Sequence, residues 1–190
     1  GTLQAIFEYQ SLICQLTGMD VSNASHYDGA TATAEAVILA LHQFRQKRNK
    51  VLLSRSIHPQ YRAVIRTYME SNLSLLITGD QAEAGLDASP ENLISQIDMN
   101  TALVIVQYPD FFGRIVDFKA LIEAAHAQGA LVAVVTNPIA LGVLTPPGEI
   151  GADIVVGDGQ PLGIPMSFGG PSLGYFAIKQ PLLHKLAGRL

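Results

Sequence analysis

The sequence predicts an α/β protein, a three-layer sandwich with a mostly parallel seven-stranded sheet whose last strand is antiparallel. Three observations carry this. From residue 51 onward, short apolar runs alternate regularly with helical patterns. The strand at 101–107 is rich in Leu, Val and Ile and that at 130–135 is continuously apolar, as in strands covered on both faces. The chain has 190 residues, 48% of them hydrophobic, enough for one domain with a substantial core. Residues 1–190 are therefore expected to form a single unit, and disorder is excluded.

Taken in order, Leu3, Ile6, Phe7, Ile13 and Leu16 recur near helical spacing, with Thr2 as the expected cap and Gly18 as the stop. Residues 21–24 read as a short extended segment. Tyr27-Asp28-Gly29-Ala30-Thr31 then turns into an Ala-rich helix reaching about Lys47. Beyond it the pattern is strand 51–54, helix 61–69, strand 73–78, helix 90–97 opened by Ser89-Pro90, strand 101–107, helix 117–127, strand 130–135 and strand 154–156. A Gly- and Pro-rich loop spans 157–170. Strand 174–178 follows it without an intervening helix, hence its expected antiparallel direction. Residues 182–190 begin another helix.

Composition narrows the function. A net charge of −4, with 12 scattered basic residues, offers no basic stripe for a nucleic acid. The single cysteine, Cys14, cannot close an internal disulfide, and no His/Cys spacing suits a metal. No apolar run reaches the roughly 18 residues of a membrane span, and no signal pattern opens the chain. A reducing, cytoplasmic setting without membrane contact is expected. The start at Gly1, directly in a helical pattern, suggests a processed or excised piece.

Four segments could carry chemistry. Tyr27-Asp28-Gly29-Ala30-Thr31 lies at a strand-to-helix junction, where unpaired N–H groups and the helix dipole favour an anion. The same residues suit plain capping by Asp28, the simpler reading. His58, within Ser54-Arg55-Ser56-Ile57-His58-Pro59, lies beyond a strand's carboxyl end, where open α/β sheets bind ligands. It equally suits a capping or buried histidine, whereas His42, His126 and His184 read as surface residues of helices. Asn137, at the end of strand 130–135, could hold a ligand or close a turn, and the turn is the simpler reading. The fourth segment, residues 152–171, is dense in glycine, which accompanies close backbone approach or function.

Taken together, Gly1–Gln10, Leu16–Asp20, Tyr27–Thr31, His58-Pro59-Gln60 and Ser167–Pro171 resemble the large domain of pyridoxal-phosphate enzymes of the aspartate-aminotransferase fold type. More narrowly they are similar to the glycine decarboxylase P proteins of the glycine cleavage system, in particular subunit 1 of the two-subunit form. The resemblance implies an enzyme that decarboxylates glycine and transfers the aminomethyl group to the lipoyl arm of the H protein. In that fold a lysine holds pyridoxal phosphate as a Schiff base. Aligned on Pro165 and Gly170-Pro171, Gln160 falls where that lysine belongs, and Asn137 where an aspartate pairs with the pyridine nitrogen. Neither can replace the group it stands for.

The resemblance therefore implies a non-catalytic subunit in a heterotetramer, with pyridoxal phosphate held by a lysine-bearing partner, subunit 2. Tyr27, Asp28, Gly29, Ala30, Thr31, His58, Asn137, Gln160, Phe168, Gly169 and Gly170 are then vestigial or interface positions. Measured against the family, the segment before Gly1 and a smaller C-terminal domain are expected to be missing. Such a piece should expose apolar surface and self-associate. Two alternatives stay open: a self-sufficient pyridoxal-phosphate enzyme using another lysine, and a Rossmann-like nucleotide-binding module, for which the glycine fingerprint is lacking.

Overall fold

The computed structural model describes residues 1–80 and 89–188. Helix α1 (Thr2–Thr17) leads to strand β1 (Val21–Ser22), α2 (Gly29–Gln43), β2 (Lys50–Leu53), α3 (Pro59–Met69) and β3 (Leu76–Thr78). After the gap come α4 (Pro90–Ile94), β4 (Thr101–Tyr108), α5 (Lys119–Ala127), β5 (Leu131–Thr136), α6 (Pro147–Ile150), β6 (Ile154–Asp158) and β7 (Gly174–Ile178). The sheet order is β1-β7-β6-β5-β4-β2-β3. Strands β2 to β6 pair in parallel, whereas β7 runs antiparallel to both β6 and β1.

Two apolar layers follow from strand alternation, since successive side chains point to opposite faces. Leu103, Ile105, Val135, Val156 and Phe176 pack with α2 and α3 on one face. Val104, Val106, Val134, Val155 and Tyr175 pack with α5 and with Ile13 of α1 on the other. The central strand β4 is buried along nearly its whole length, which is why its sequence reads as an unbroken apolar run.

Element ends depart from the sequence reading for local reasons. Gly1, not Thr2, precedes α1, and no side chain caps it; Gly18 ends it in the left-handed region as expected. Helix α2 stops at Gln43 rather than near Lys47, because Arg45 and Gln46 take positive φ to turn the chain toward β2. The expected strand 73–78 shrinks to three residues, with Leu73 almost fully exposed. Ser89 precedes α4 without a side-chain cap, and α4 ends at Ile94, short of Ile97. Helix α5 starts at Lys119, after Asp117 accepts its N–H. Strand β6 continues through Asp158, so the glycine-rich loop begins later than read and contains a short 3-10 turn at Gln160–Leu162. The expected helix over 182–190 is a 3-10 turn at Gln180–Lys185, and its last two residues lie outside the described part. His126 is more than a surface residue: its Nε2 lies 2.8 Å from Asp153 Oδ2, at the sheet's amino end. Among the described residues, no helix is long and apolar enough to cross a membrane and no His/Cys/Asp/Glu group could hold a metal.

His26 joins the two antiparallel strands to α2. Its backbone exchanges both hydrogen bonds with Gly174, its ring lies 5.1 Å from Phe176, and Asn23 Nδ2 donates to its Nε2 at 2.9 Å. Burial lowers its pKa below the usual 6.5. The unfolded chain therefore takes up this proton first as the pH falls through 6.5. This contribution to stability is complete above that pH and declines below it, down to the folded-state pKa. Urea midpoints from pH 8 to 5 should show a steeper acid loss for the unsubstituted chain than for His26→Gln; parallel profiles would refute the assignment.

Candidate functional site

A cleft opens at the carboxyl ends of the central strands, the usual site end of an open α/β sheet. Gln107 closes β4, Val135 and Thr136 close β5 with Asn137 just beyond, and Asp158 closes β6; His58, Tyr61 and Pro161 complete the walls.

The first turn of α2 abuts this cleft. Asp28 caps it: its Oδ1 accepts from Thr31 N–H at 2.7 Å, and Thr31 Oγ1 in return accepts from Asp28 N–H at 3.2 Å. Gly29 N–H donates across to Asp158 Oδ2 at 3.3 Å. The other Asp158 oxygen accepts from Gln160 N–H at 2.8 Å and Ser172 Oγ at 2.9 Å. One carboxylate thus joins the end of β6, the start of α2 and both arms of the loop before β7. The approach is close enough that a Cβ on Gly29 would run into Tyr61 Oη, the Asp158 nitrogen and the Gly157 carbonyl carbon. Gly157 in turn lies against Thr136 O and the Tyr175 hydroxyl, which donates to that same oxygen at 2.5 Å.

The α3 wall is equally specified. His58 caps α3 through Nδ1, which accepts from Gln60 N–H at 3.2 Å, and its own N–H donates to Gln107 Oε1 at 2.8 Å. Its ring lies between Tyr61 and Phe111, with centroids 5.3 and 4.8 Å away. Phe111 is held there by its N–H on Ser56 O, and by Asp110, whose carboxylate gathers the N–H groups of Phe112 and Arg114 and the Arg114 Nε. Burial, then the nearby Asp158 and Asp28 carboxylates, push the Tyr61 phenol pKa well up, so it stays a neutral hydroxyl.

The structure brings Asp28, Gly29, Thr31, His58 and Asn137 to or beside this cleft; Ala30 lines the adjoining groove with Asp28, Tyr61 and Asp158. For Asp28 and His58 the capping readings hold. Asn137 closes a turn, Oδ1 accepting from Ile139 N–H at 3.0 Å, while also lining the cleft. Gln160 is near but turned into its own loop, Nε2 donating to Ile164 O at 2.6 Å. Tyr27 is 87% exposed and Phe168 fully so, with Gly169 and Gly170 in open space; these four are not gathered at the cleft. Sequence reading missed Tyr61, Gln107, Thr136 and Asp158 as a group. For Gln107, Thr136 and Asp158 the available signal was a polar residue at the carboxyl end of an apolar strand; Tyr61, on α3, carried none.

Solved structures first define the class. The cystathionine gamma-lyase from Lactobacillus plantarum complexed with L-serine aligns with a TM-score of 0.68 at 17% identity, over 93% of this chain and 42% of that one. Its counterpart from Micromonospora echinospora aligns at 0.63 and 16%, over 90% and 42%. At this identity the likeness is one of fold: the chain has the α/β fold of these lyases. A glycine decarboxylase (P-protein) of the glycine cleavage system, in inhibitor-bound form, aligns at 0.85 with 46% identity, over 99% of this chain and 41% of that one. The probable glycine dehydrogenase (decarboxylating) subunit 1 of Geobacillus thermodenitrificans is 54% identical over 191 residues, and that of Thermomicrobium roseum 52% over 190. Each match covers 100% of this chain and 42% of the relative, so the chain spans well under half of these relatives' length. The family described as glycine cleavage system P-protein matches residues 1–190, and the chain belongs to that family.

The closeness of α2 to β6 makes Gly29 intolerant of a side chain. Gly29→Ala should lower unfolding stability by about 2 kcal/mol through overpacking, read as a fall in urea midpoint at constant m. A loss below about 0.5 kcal/mol would show that α2 can slide away.

Proposed function

We propose that this chain acts as part of subunit 1 of a glycine dehydrogenase (decarboxylating), the half that holds no cofactor and supports the active site of a homologous, lysine-bearing subunit. The observation that carries the reading is the cleft's chemistry. None of the five lysines lines it. Gln160, at the position the family resemblance gives to the Schiff-base lysine, is an amide bound to the Ile164 carbonyl. An amide nitrogen has no basic lone pair with which to condense with an aldehyde. Asn137, at the position of the pyridine-pairing acid, is neutral and engaged with Ile139. Pyridoxal phosphate does not fit these residues, and no step is assigned to them.

A partner is supported by the surface. Around the cleft Phe111, Phe112, Ile139, Val143, Leu162 and Met166 stand exposed on the loops at the strands' carboxyl ends, and α1 presents Leu3, Phe7 and Leu12 to solvent. Large apolar side chains on the rim of a site suit burial by another subunit. The lysine-bearing subunit 2 then supplies pyridoxal phosphate. The assembled heterotetramer decarboxylates glycine and transfers the aminomethyl group to the lipoyl arm of the H protein. The unpaired Cys14 and the scattered basic residues suit a cytoplasmic setting without nucleic acid.

Borohydride treatment of the chain with pyridoxal phosphate should give no stoichiometric adduct on any one lysine, and exchange of labelled carbon dioxide into glycine should require the lysine-bearing subunit, with which the chain co-purifies. Alone, it should self-associate in sedimentation. A stoichiometric lysine adduct on this chain, or exchange by the chain alone, would favour a self-sufficient enzyme and overturn the reading.

A further inference from the structure

We propose that Asp158 is a built-in substitute for a bound phosphate, closing the anion-binding end of this chain's own cleft so that phosphorylated ligands, pyridoxal phosphate included, are rejected. The inference rests on the reading above and deepens it. The missing lysine prevents a covalent bond to the cofactor; Asp158 opposes even its non-covalent entry.

The 15-residue helix α2 begins beside the cleft, with its Gly29 N–H on the cleft residue Asp158, and a helix N-terminus attracts anions in general. Here the anions are the chain's own. Thr31 N–H is taken by Asp28 at 2.7 Å and Gly29 N–H by Asp158 at 3.3 Å. Asp158 is not free to swing aside, because Gln160 N–H and Ser172 Oγ fix its second oxygen. A Cβ on Gly29 would meet the Tyr61 hydroxyl and the Gly157–Asp158 backbone, so the first turn of α2 lies directly against the end of β6 and within reach of the Asp158 carboxylate. No Lys or Arg is among the described residues lining the cleft to offset the charge. A phosphate arriving here meets two carboxylates and already-occupied donors, so like-charge repulsion adds to the loss of hydrogen-bonding partners.

The test compares the 190-residue chain with Asp158→Asn and Asp158→Ser, using inorganic phosphate as the probe in equilibrium dialysis and thermal melts. The unsubstituted chain should show no saturable binding, and its Gly29 and Thr31 amide resonances should not move during the titration. Each folded variant should bind phosphate at least about tenfold more tightly and regain melting temperature when phosphate is added. Asp158→Asn keeps the size, removes the charge and turns one accepting oxygen into a donor, so it decides the matter if Asp158→Ser does not fold. Saturable phosphate binding by the unsubstituted chain, or no gain in a folded variant, would overturn the proposal. Non-covalent phosphate binding without a lysine adduct would sink this inference alone and leave the partner-subunit reading standing.

Discussion

The constraint on which the cleft depends is the meeting of the α2 N-terminus with the end of β6. Gly29 lets the two backbones approach to a distance no side chain would allow, Gly157 does the same for β6 against Thr136 O and Tyr175, and the Asp158 carboxylate bonds across to Gly29. Much of the cleft depends on this contact. It sets the height of Tyr61 over the first turn of α2. It places Thr136 O within reach of the buried Tyr175 hydroxyl on the opposite face of the sheet. Through Gln160 and Ser172 it also orders both arms of the loop that carries the chain into β7.

The fold was largely legible because its strongest signals are collective. Strand β4 is apolar from Ala102 to Val106 since helices cover both its faces, and its span was read to within one residue. The antiparallel direction of β7 followed from the absence of a crossover helix, and the pairing with β6 and β1 agrees. Weak points were ends governed by single residues. Positive φ at Arg45 and Gln46 leaves no mark in helix propensity, and Leu73 is an apolar residue that simply stays in solvent.

Less of the site could be read. Asp28 and His58 announce themselves as caps because their neighbours in sequence are the groups they bind. Asp158 and Gln107 act on partners far away in the chain, Gly29 and His58 respectively, and no local pattern encodes those pairings. Tyr61 reads as one more amphipathic-helix residue until the fold sets it beside two carboxylates. Conversely, the glycine density around Phe168 drew attention to a turn that stands clear of the cleft, where glycine serves the chain's reversal, with positive φ at Phe168 and Gly169, rather than close approach.

The antiparallel insertion of β7 also governs how the molecule can assemble. Val21 of β1 pairs only with Ile178 of β7, Asp20 receives Gln180 N–H, and Asn23 reaches the Ala187 carbonyl. Strand β1 thus has no partner in the sheet until β7 exists, while β2, β4, β5 and β6 can pair as they emerge. Joining such distant segments carries the largest loop-closure entropy in the sheet. The parallel centre is therefore free to consolidate first, with β1 and β7 joining as the final seam.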